Sequence, residues 1–400
     1  MEILAPRMKR FKPSASTEAS ARARALREAG RDIIDFSIGE PDFATPDNIK
    51  AAVSVAMDND ETHYTNTNGT VAVRKAVQLK FERENNLSFS LDEVMVSSGA
   101  KHTMFNAFMC TVSAGDEVIV PSPYWISYPN QVELAGGTPV IVDCTRDTGF
   151  KLTADSLKAA ISSKTKWLVL NSPNNPTGAI YSRQELRHLA DVLLEHPAVW
   201  VMSDEIYEHF LYDDAEHVSI LEVEPALRDR TLLVNGVSKA YAMTGWRIGY
   251  VAGPAPLIKA MTKLQSQSTS CPSSISQAAT VEALTGSQQS ISESMSILQD
   301  RRNVIAGILT EKSKLSIDVP AGAMYLFCNC ESYYEMETPE GKTIASDVDF
   351  TEYLLSHAGV NVVSGAAYGI SGYFRLSFAT STEILNEGGR RIVRACSDLA

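Results

Sequence analysis

The sequence lacks any apolar run of the roughly 18 residues that a membrane span needs, so no transmembrane helix is expected. Its N-terminal stretch, MEILAPRMKRFKPSAST, has basic residues but no apolar segment, which argues against a secretory signal. The six cysteines are scattered, which favours reduced thiols in a cytoplasmic protein and no metal site. Basic residues number 36 against 48 acidic ones, and the net charge of −12 argues against a nucleic-acid surface.

The remaining composition is that of an ordinary globular protein, with 44% hydrophobic and 21% charged residues in a chain of 400. Between about residues 46 and 290, short apolar runs alternate with helical patterns. This alternation predicts an α/β fold with a mostly parallel seven-stranded sheet covered by helices. The seven runs are Val94–Val96, Val118–Val120, Pro139–Val142, Trp167–Leu170, Val199–Met202, Leu232–Val234 and Ile248–Val251.

The pattern changes near residue 291, where a long helical pattern precedes strand-like runs at Met324–Cys328, Val360–Val363 and Phe374–Phe378. This change predicts a smaller α+β domain, which the N-terminal segment is expected to complete with a strand at Ile33–Ile38. The predicted division is residues 1–45 as an arm and part of the small domain, 46–290 as the large domain, and 291–400 as the C-terminal small domain.

One lysine stands in a segment with little charge, Val234–Tyr250, which reads VNGVSKAYAMTGWRIGY. Lys239 and Arg247 are the only charged residues between Arg230 and Lys259. Loss of solvent lowers the pKa of an amine, and a neutral amine attacks aldehydes to form a Schiff base. The alternative is a structural lysine whose ammonium group extends to solvent.

Polar motifs follow several of the predicted strands, where ligands bind in open parallel sheets. Gly99, Ala100 and Lys101 open an amphipathic helix, and the free N–H groups of a helix start suit a phosphate. Small residues also start helices for packing reasons. Trp125 follows the second run, where an aromatic ring either packs in the core or stacks on a ligand.

Further polar residues stand where a purely apolar strand pattern would not place them. Asn175 belongs to the loop Asn171–Gly178, NSPNNPTG, which is either a structural turn or part of a site. Asp204 directly follows the fifth run and needs a partner, because a buried unpaired charge is costly. It either caps a helix or binds a cationic group. Arg375 lies within an apolar strand pattern, YFRLS.

These segments resemble those of the class I, fold-type I aminotransferases, which use pyridoxal 5'-phosphate. The similarity runs from about residue 7 to the C-terminus, and SKAYAMTGWRIGY and NPTG are its most specific parts. Within the family, Lys12-Pro13-Ser14-Ala15 is similar to the segment found in one group of bacterial aspartate aminotransferases. The resemblance implies a three-layer fold, a pyridoxal phosphate cofactor and a homodimer with shared active sites.

The resemblance also implies roles for individual residues. Lys239 is expected to bind the cofactor as a Schiff base and to transfer protons. Asp204 is expected to pair with the pyridine nitrogen, and Tyr207 to contact the 3'-oxygen. The other expected cofactor-binding residues are Gly99, Ala100, Lys101, Trp125, Asn175, Arg247 and Tyr64, the last of which would reach the neighbouring subunit's site.

For the substrate, the resemblance implies contacts from Gly39, Trp125, Asn175, Arg375, Lys12 and Lys101. Arg375 is expected to bind the α-carboxylate beside the backbone N–H of Gly39. Lys101 and Lys12 are the candidates for a distal carboxylate. The chain departs from many relatives at Gly236, where they carry a phosphate-binding serine three residues before the lysine.

The activity that the resemblance implies is amino transfer from L-aspartate to 2-oxoglutarate, giving oxaloacetate and L-glutamate by a ping-pong mechanism. Prephenate or aromatic aminotransferase activity is an alternative, as is a lyase that uses the same cofactor. A non-catalytic cofactor-binding sensor is a further alternative of a different class. Such sensors carry a DNA-binding domain, and only about seven residues precede the similarity.

Overall fold

The structure is a computed structural model that describes residues 3–11 and 15–400. In this part of the chain, none of the helices combines the length and the apolar composition that a bilayer span requires. The α-helices are α1 (Ala15–Glu28), α2 (Asp47–Asp58), α3 (Val71–Asn85), α4 (Ala100–Thr111), α5 (Ser127–Ala135), α6 (Ala154–Ala160), α7 (Arg183–Glu195), α8 (Ile220–Val223), α9 (Ala255–Ser266), α10 (Ser274–Thr285), α11 (Gln289–Lys312), α12 (Asp347–Tyr353) and α13 (Thr382–Ser397). The strands are β1 (Ile34–Asp35), β2 (Val94–Ser97), β3 (Glu117–Ser122), β4 (Thr138–Asp143), β5 (Thr165–Asn171), β6 (Trp200–Asp204), β7 (Thr231–Gly236), β8 (Gly249–Ala252), β9 (Ser316–Ile317), β10 (Tyr325–Asn329), β11 (Val360–Asn361), β12 (Val363–Ser364) and β13 (Tyr373–Ser377).

Seven strands form one sheet in the order β2-β8-β7-β6-β5-β3-β4. The strands from β7 to β4 run parallel, whereas β8 lies antiparallel to both β2 and β7. Each strand overlaps one of the seven apolar runs. The predicted mostly parallel, seven-stranded sheet is therefore confirmed.

Alternate residues of each strand point to opposite faces of the sheet, and an apolar cluster lies against each face. Val94 and Val96 belong to one apolar cluster together with Phe81 of α3. Met95, which lies between the two valines, belongs to a different cluster together with Phe108 of α4. Helices therefore cover the sheet on both sides, and the predicted three-layer arrangement is confirmed.

A smaller antiparallel sheet, in the order β12-β13-β10-β9, lies in the C-terminal part of the chain. Helices α11 and α13 pack against each other in the same part. The N-terminal segment joins this part because β1 pairs in parallel with β11. The domain boundaries near residues 45 and 290 remain predictions.

Two predicted strands are shorter than expected. Of the run Ile33–Ile38, only β1 is a strand, because Asp35 Oδ1 accepts hydrogen bonds from Ser37 N at 3.0 Å and Ser37 Oγ at 2.6 Å. Such local side-chain bonds compete with strand pairing. The run Val360–Val363 is divided between β11 and β12, which belong to different sheets.

The carboxyl ends of the central parallel strands bring polar residues to one edge of the large sheet. Asn171 at the end of β5 is the register partner of Asp204 at the end of β6. Asp204 is in turn the partner of Val234, two residues before the end of β7. Since ligands bind beyond the carboxyl ends of strands in such sheets, this edge is where the site is expected.

Candidate active site

A cavity of about 290 Å³ opens at this edge of the sheet. It brings together ten of the thirteen residues that the sequence singled out, from both sheets and from the N-terminal segment. These ten residues are Gly39, Ala100, Lys101, Trp125, Asn175, Asp204, Tyr207, Lys239, Arg247 and Arg375.

The amine of Lys239 lies in the wall of the cavity, three residues beyond the end of β7. Its Nζ donates a hydrogen bond to the carbonyl oxygen of Gly39 at 2.5 Å. Burial lowers the pKa of Lys239 to about 8. The negative charge of Glu40 opposes this decrease, and the positive charge of Arg375 adds to it. At pH 7, about one amine in ten is therefore neutral.

Asp204 is 3% exposed and is held from two sides. Its Oδ2 accepts a hydrogen bond from Tyr128 Oη at 2.5 Å, and its Oδ1 accepts one from the Ile206 backbone N–H at 3.3 Å. Burial raises the pKa of Asp204 to about 6, and the charge of Glu205 adds to the rise. The hydrogen bond from Tyr128 acts in the opposite direction and favours the ionised form.

Arg375 is buried in β13 with only part of its donor capacity used. Nη1 donates to Asn175 Oδ1 at 3.0 Å, and Nη2 donates to the Ser37 carbonyl oxygen at 2.6 Å. Nε has no hydrogen-bond partner. The guanidinium carbon lies 4.2 Å from the ring centroid of Tyr325 and 5.2 Å from that of Tyr368. Two aromatic rings thus hold a cation at the wall of the cavity.

Tyr207 and Gly39 make contacts that their expected roles did not include. Tyr207 Oη lies 2.8 Å from Tyr325 Oη, and either hydroxyl can be the donor. The amide oxygen of Asn175, another expected cofactor-binding residue, accepts a hydrogen bond from Arg375. The carbonyl oxygen of Gly39 binds the lysine amine, while the expected use of its N–H stays a prediction.

The start of α4 meets Arg247 at one end of the cavity. Gly99 precedes the helix with φ of +93°, and a Cβ on it would overlap the Arg247 guanidinium. The backbone of Arg247 has the left-handed conformation, with φ of 55°. Its Nη1 donates a hydrogen bond to the Thr244 carbonyl oxygen at 2.7 Å. The first N–H groups of a helix have no partner within the helix, so this corner presents donors to an anion. Ser238 lines the same cavity, one residue before the lysine.

Lys101 and Trp125 form a pair at the wall of the cavity. Lys101 lies on the first turn of α4, and its Nζ is 4.9 Å from the ring centroid of Trp125. Partial desolvation lowers the pKa of Lys101, and the charge of Arg247 adds to this effect. The ring of Trp125 also makes an edge contact with Tyr128, with centroids 5.3 Å apart. The pair thus offers a cation and an aromatic face to the same space.

Two of the other three residues, Gly99 and Tyr64, do not line the cavity. Gly99 stands directly before its wall, where it permits the approach of Arg247. Tyr64 is 93% exposed on the surface of the chain. Lys12 lies outside the described residues, so its expected role stays a prediction.

Two tyrosines at the cavity were not identified from the sequence. Tyr128 follows Trp125 at helical spacing, which indicates a shared face but not a bond to Asp204. Tyr325 lies in an apolar run that predicted only a strand. Because both hydroxyls meet partners that are distant along the chain, local patterns carried no signal for them.

The three-layer fold, with a desolvated lysine and a buried carboxylate at the carboxyl edge of its sheet, is that of the fold-type I transferases. The chain belongs to the family of class I and II aminotransferases, whose model matches residues 31–392. The prediction of an aminotransferase is thereby confirmed.

The similarity to known proteins extends over nearly the whole chain. The "Probable aspartate/prephenate aminotransferase" of Rhizobium leguminosarum bv. phaseoli is 50% identical over 396 residues, covering 99% of each protein. The crystal structure of the aspartate aminotransferase from Rhizobium meliloti superimposes with a TM-score of 0.97, at 48% identity and 99% coverage of each chain. The aspartate aminotransferase from Thermus thermophilus with maleate gives a TM-score of 0.92 at 41% identity, covering 99% of this chain and 100% of that one.

Proposed function

We propose that the protein is a pyridoxal-phosphate-dependent aminotransferase that transfers the amino group of L-aspartate to a 2-oxo acid, namely 2-oxoglutarate. The observation that carries the proposal is that Lys239, Asp204 and Arg375 line one cavity. A nucleophilic amine, a carboxylate and a cation with free donors are the groups that a pyridoxal cofactor and an amino-acid carboxylate require.

The residues of the cavity fit the cofactor. The N-terminus of α4 and Arg247 suit its phosphate, because together they offer N–H donors and a positive charge. Arg247 has no carboxylate partner among the residues with described side chains. The face of Trp125 suits the ring, and Asp204 suits the ring nitrogen. When bound, the cofactor supplies an aldehyde for amines and an electron-withdrawing ring.

Lys239 is the group that moves the proton. A pKa of about 8 leaves a useful fraction of neutral amine near neutral pH, so Nζ can accept the α-proton of a bound amino acid. The hydrogen bond to Gly39 holds the amine near the cavity wall between transfers. Asp204 supplies negative charge from a buried position, and Tyr128 favours its ionised form.

Arg375 is the group that orients the amino acid. Its Nε is buried and unpartnered, and Tyr325 and Tyr368 limit the positions that the guanidinium can take. A carboxylate that binds there satisfies the free donor and gains the strength of a charge-assisted hydrogen bond. Every amino acid carries this carboxylate, so Arg375 alone selects no particular side chain.

A distal carboxylate has a separate candidate partner in Lys101. Two of the similar proteins are named aspartate aminotransferases, and one of these is seen with maleate, a dicarboxylate. Lys101 lines the cavity on an element fixed by the sheet and places a cation beside Trp125. This arrangement supports aspartate or glutamate as the amino donor.

Replacement of Lys101 by alanine tests this assignment. It should lower kcat/KM for aspartate and glutamate by roughly 10- to 100-fold, the worth of one hydrogen bond to a charged group. The value for phenylalanine should change by less than about threefold. Arg375→Ala is the matched control, because it should impair all three donors alike. Equal losses for aspartate and phenylalanine in Lys101→Ala would assign Lys101 to the cofactor phosphate instead.

Prephenate is a second candidate substrate. The support is the name of the relative from Rhizobium leguminosarum, which includes both aspartate and prephenate. Prephenate also carries two carboxylates, so the same two cations would serve it. Rates with aspartate as donor and prephenate or 2-oxoglutarate as acceptor separate the two activities.

We further infer that the active unit is a homodimer in which Tyr64 serves the partner's site. Tyr64 is 93% exposed on the single chain and does not line the cavity, although its sequence context resembles that of a phosphate-binding tyrosine. Tyr64→Phe should lower activity about tenfold through the loss of one hydrogen bond to an anion.

Mixed dimers of Tyr64→Phe and Lys239→Ala subunits test this arrangement. If Tyr64 acts across the interface, one site of each hybrid carries both changes and the other carries neither. The activity after subunit exchange should then exceed the mean of the two parent proteins. A mixture of wild-type and Lys239→Ala subunits is the control, because its activity should stay at the parental mean after exchange. Activity that stays at the parental mean after complete exchange would place Tyr64 in its own subunit's site or in no site.

A further inference from the structure

We propose that Tyr325 is a positioning residue that joins the carboxylate-binding arginine, Arg375, to the hydroxyl of Tyr207. The inference rests on the proposed function and extends it. In this arrangement the ring of Tyr325 orients Arg375, while its hydroxyl sets the hydrogen bonding of Tyr207. The two parts of the side chain therefore serve two different ends of the site.

The register of the smaller sheet places Tyr325 beside Arg375. Strands β10 and β13 are antiparallel, with Phe327 opposite Arg375 and Tyr325 opposite Ser377. Residues two apart on a strand share a face, so Tyr325 and Arg375 are diagonal neighbours on one side of the sheet. Tyr325 is 1% exposed, and it lines the cavity.

The ring of Tyr325 holds the guanidinium without a hydrogen bond. The guanidinium carbon of Arg375 lies 4.2 Å from the ring centroid, within the range of a cation–π contact. The polar contacts of Arg375 go to Ser37 and Asn175. A phenylalanine at position 325 would keep the ring and so would keep this contact.

The hydroxyl of Tyr325 has a separate partner. It lies 2.8 Å from Tyr207 Oη, and both hydroxyls are buried. If Tyr207 donates its proton to an anionic oxygen in the cavity, its own oxygen is left to accept from Tyr325. A hydroxyl that accepts a hydrogen bond becomes a stronger donor, so Tyr325 would strengthen the bond that Tyr207 makes.

Gly39 makes room for this hydroxyl. A Cβ at Gly39 would lie 2.7 Å from Tyr325 Oη, closer than side chains allow. The carbonyl oxygen of the same residue accepts the hydrogen bond of Lys239. The amine of Lys239 lies 5.8 Å from the ring centroid of Tyr207, so a change in the hydrogen bonding of this hydroxyl pair should be detectable at the lysine.

Tyr325→Phe tests the hydroxyl alone, in the intact protein loaded with pyridoxal phosphate. The probe is the pH titration of the visible absorbance of the bound cofactor. Loss of the hydroxyl should weaken donation from Tyr207 to the cofactor's 3'-oxygen. The apparent pKa of the absorbance change should then rise by about 0.5 to 1 unit, as expected for one hydrogen bond. The charged groups facing Lys239, which are Glu40, Asp204, Arg247 and Arg375, stay unchanged in the variant.

The kinetic expectation separates this role from that of the ring. Tyr325→Phe should lower kcat severalfold and leave KM for the amino donor within about twofold, because Arg375 keeps its aromatic contact. Tyr325→Leu removes the ring as well and should raise KM for every amino donor. A rise in KM in the phenylalanine variant equal to that in the leucine variant would overturn the proposal.

Tyr368→Phe is the matched control. Its hydroxyl is buried without a partner, and its ring lies 5.2 Å from the same guanidinium. The visible absorbance of the cofactor in this variant should change with the same apparent pKa as in the wild type. In a double-mutant cycle, Tyr325→Phe should add no shift to Tyr207→Phe, because both remove the same interaction.

Two failures are distinguishable. If wild-type protein shows no bound cofactor and no visible absorbance, the proposed function fails. If the wild type titrates and Tyr325→Phe titrates identically to it, or if Tyr368→Phe shifts as much as Tyr325→Phe, only the role of Tyr325 is overturned.

Discussion

Replacing Lys239 by alanine is expected to lower kcat by roughly 10⁴-fold or more, because the protein then loses both its nucleophile and the group that accepts the α-proton. Other contacts to the cofactor remain, so the variant should still bind it non-covalently. Borohydride treatment should fix the cofactor to the peptide containing Lys239 in wild-type protein and should leave the variant unlabelled. Single-turnover rates with aspartate provide the measurement.

The pH dependence of labelling follows from the lowered pKa of Lys239. At pH 7 about one in ten of these amines is neutral, compared with about one in 3000 for an exposed lysine of pKa 10.5. The rate at which cofactor-free protein captures an aldehyde should therefore rise with pH and level off above about pH 8. The exposed Lys259→Ala variant is the control and should behave as wild type. Capture mainly on a lysine other than Lys239 would contradict the assignment.

The second large effect is expected for Asp204→Ala. Loss of the buried carboxylate should lower kcat by roughly 10³- to 10⁴-fold, since a charge held next to the reacting system contributes several kcal/mol. The amount of bound cofactor should fall much less, because the proposed phosphate contacts from α4 and Arg247 do not involve Asp204. Activity and cofactor content measured on the same preparations separate these two outcomes.

Two variants serve as controls for Asp204. Asp204→Asn keeps the shape and removes the charge, so it should resemble the alanine variant in kcat. Tyr128→Phe keeps the carboxylate but removes the hydrogen bond that lowers its pKa. In that variant the pKa of Asp204 should rise, so the acid limb of the pH–activity profile should shift to higher pH. Near-normal turnover in Asp204→Asn would show that the carboxylate serves only the fold.

Much of the seven-stranded sheet was predictable, because its signals are local. Each strand of the central sheet overlaps an apolar run of a few residues. A strand with both faces buried needs such a run, and the run is visible in the local sequence alone. Asp204 and Asn175 were identified because each follows such a run at the edge where ligands bind. The lowered pKa of Lys239 followed from the scarcity of charge around it.

Two strand predictions were only partly right, one because pairing joins distant segments and the other because a side chain bonds to a nearby residue. The run Val360–Val363 has an unbroken apolar pattern, yet β11 pairs with β1 while β12 pairs with β13. The strand predicted at Ile33–Ile38 ends early for a local reason, because Asp35 bonds to Ser37. In both segments these contacts override the strand propensity of the apolar run.

The sequence by itself determined the positions of the strands along the chain, the apolar character of the sheet and the chemical types of the residues at its carboxyl edge. Only the tertiary structure decided which hydroxyl meets which partner: Tyr128 with Asp204, and Tyr325 with Tyr207. The spacing of apolar residues that predicts strands and helices involves neighbours a few residues apart, so it can be read directly from the sequence. Hydrogen bonds and pKa shifts depend on distances of a few ångströms between segments 76 or 118 residues apart, and only folding sets those distances.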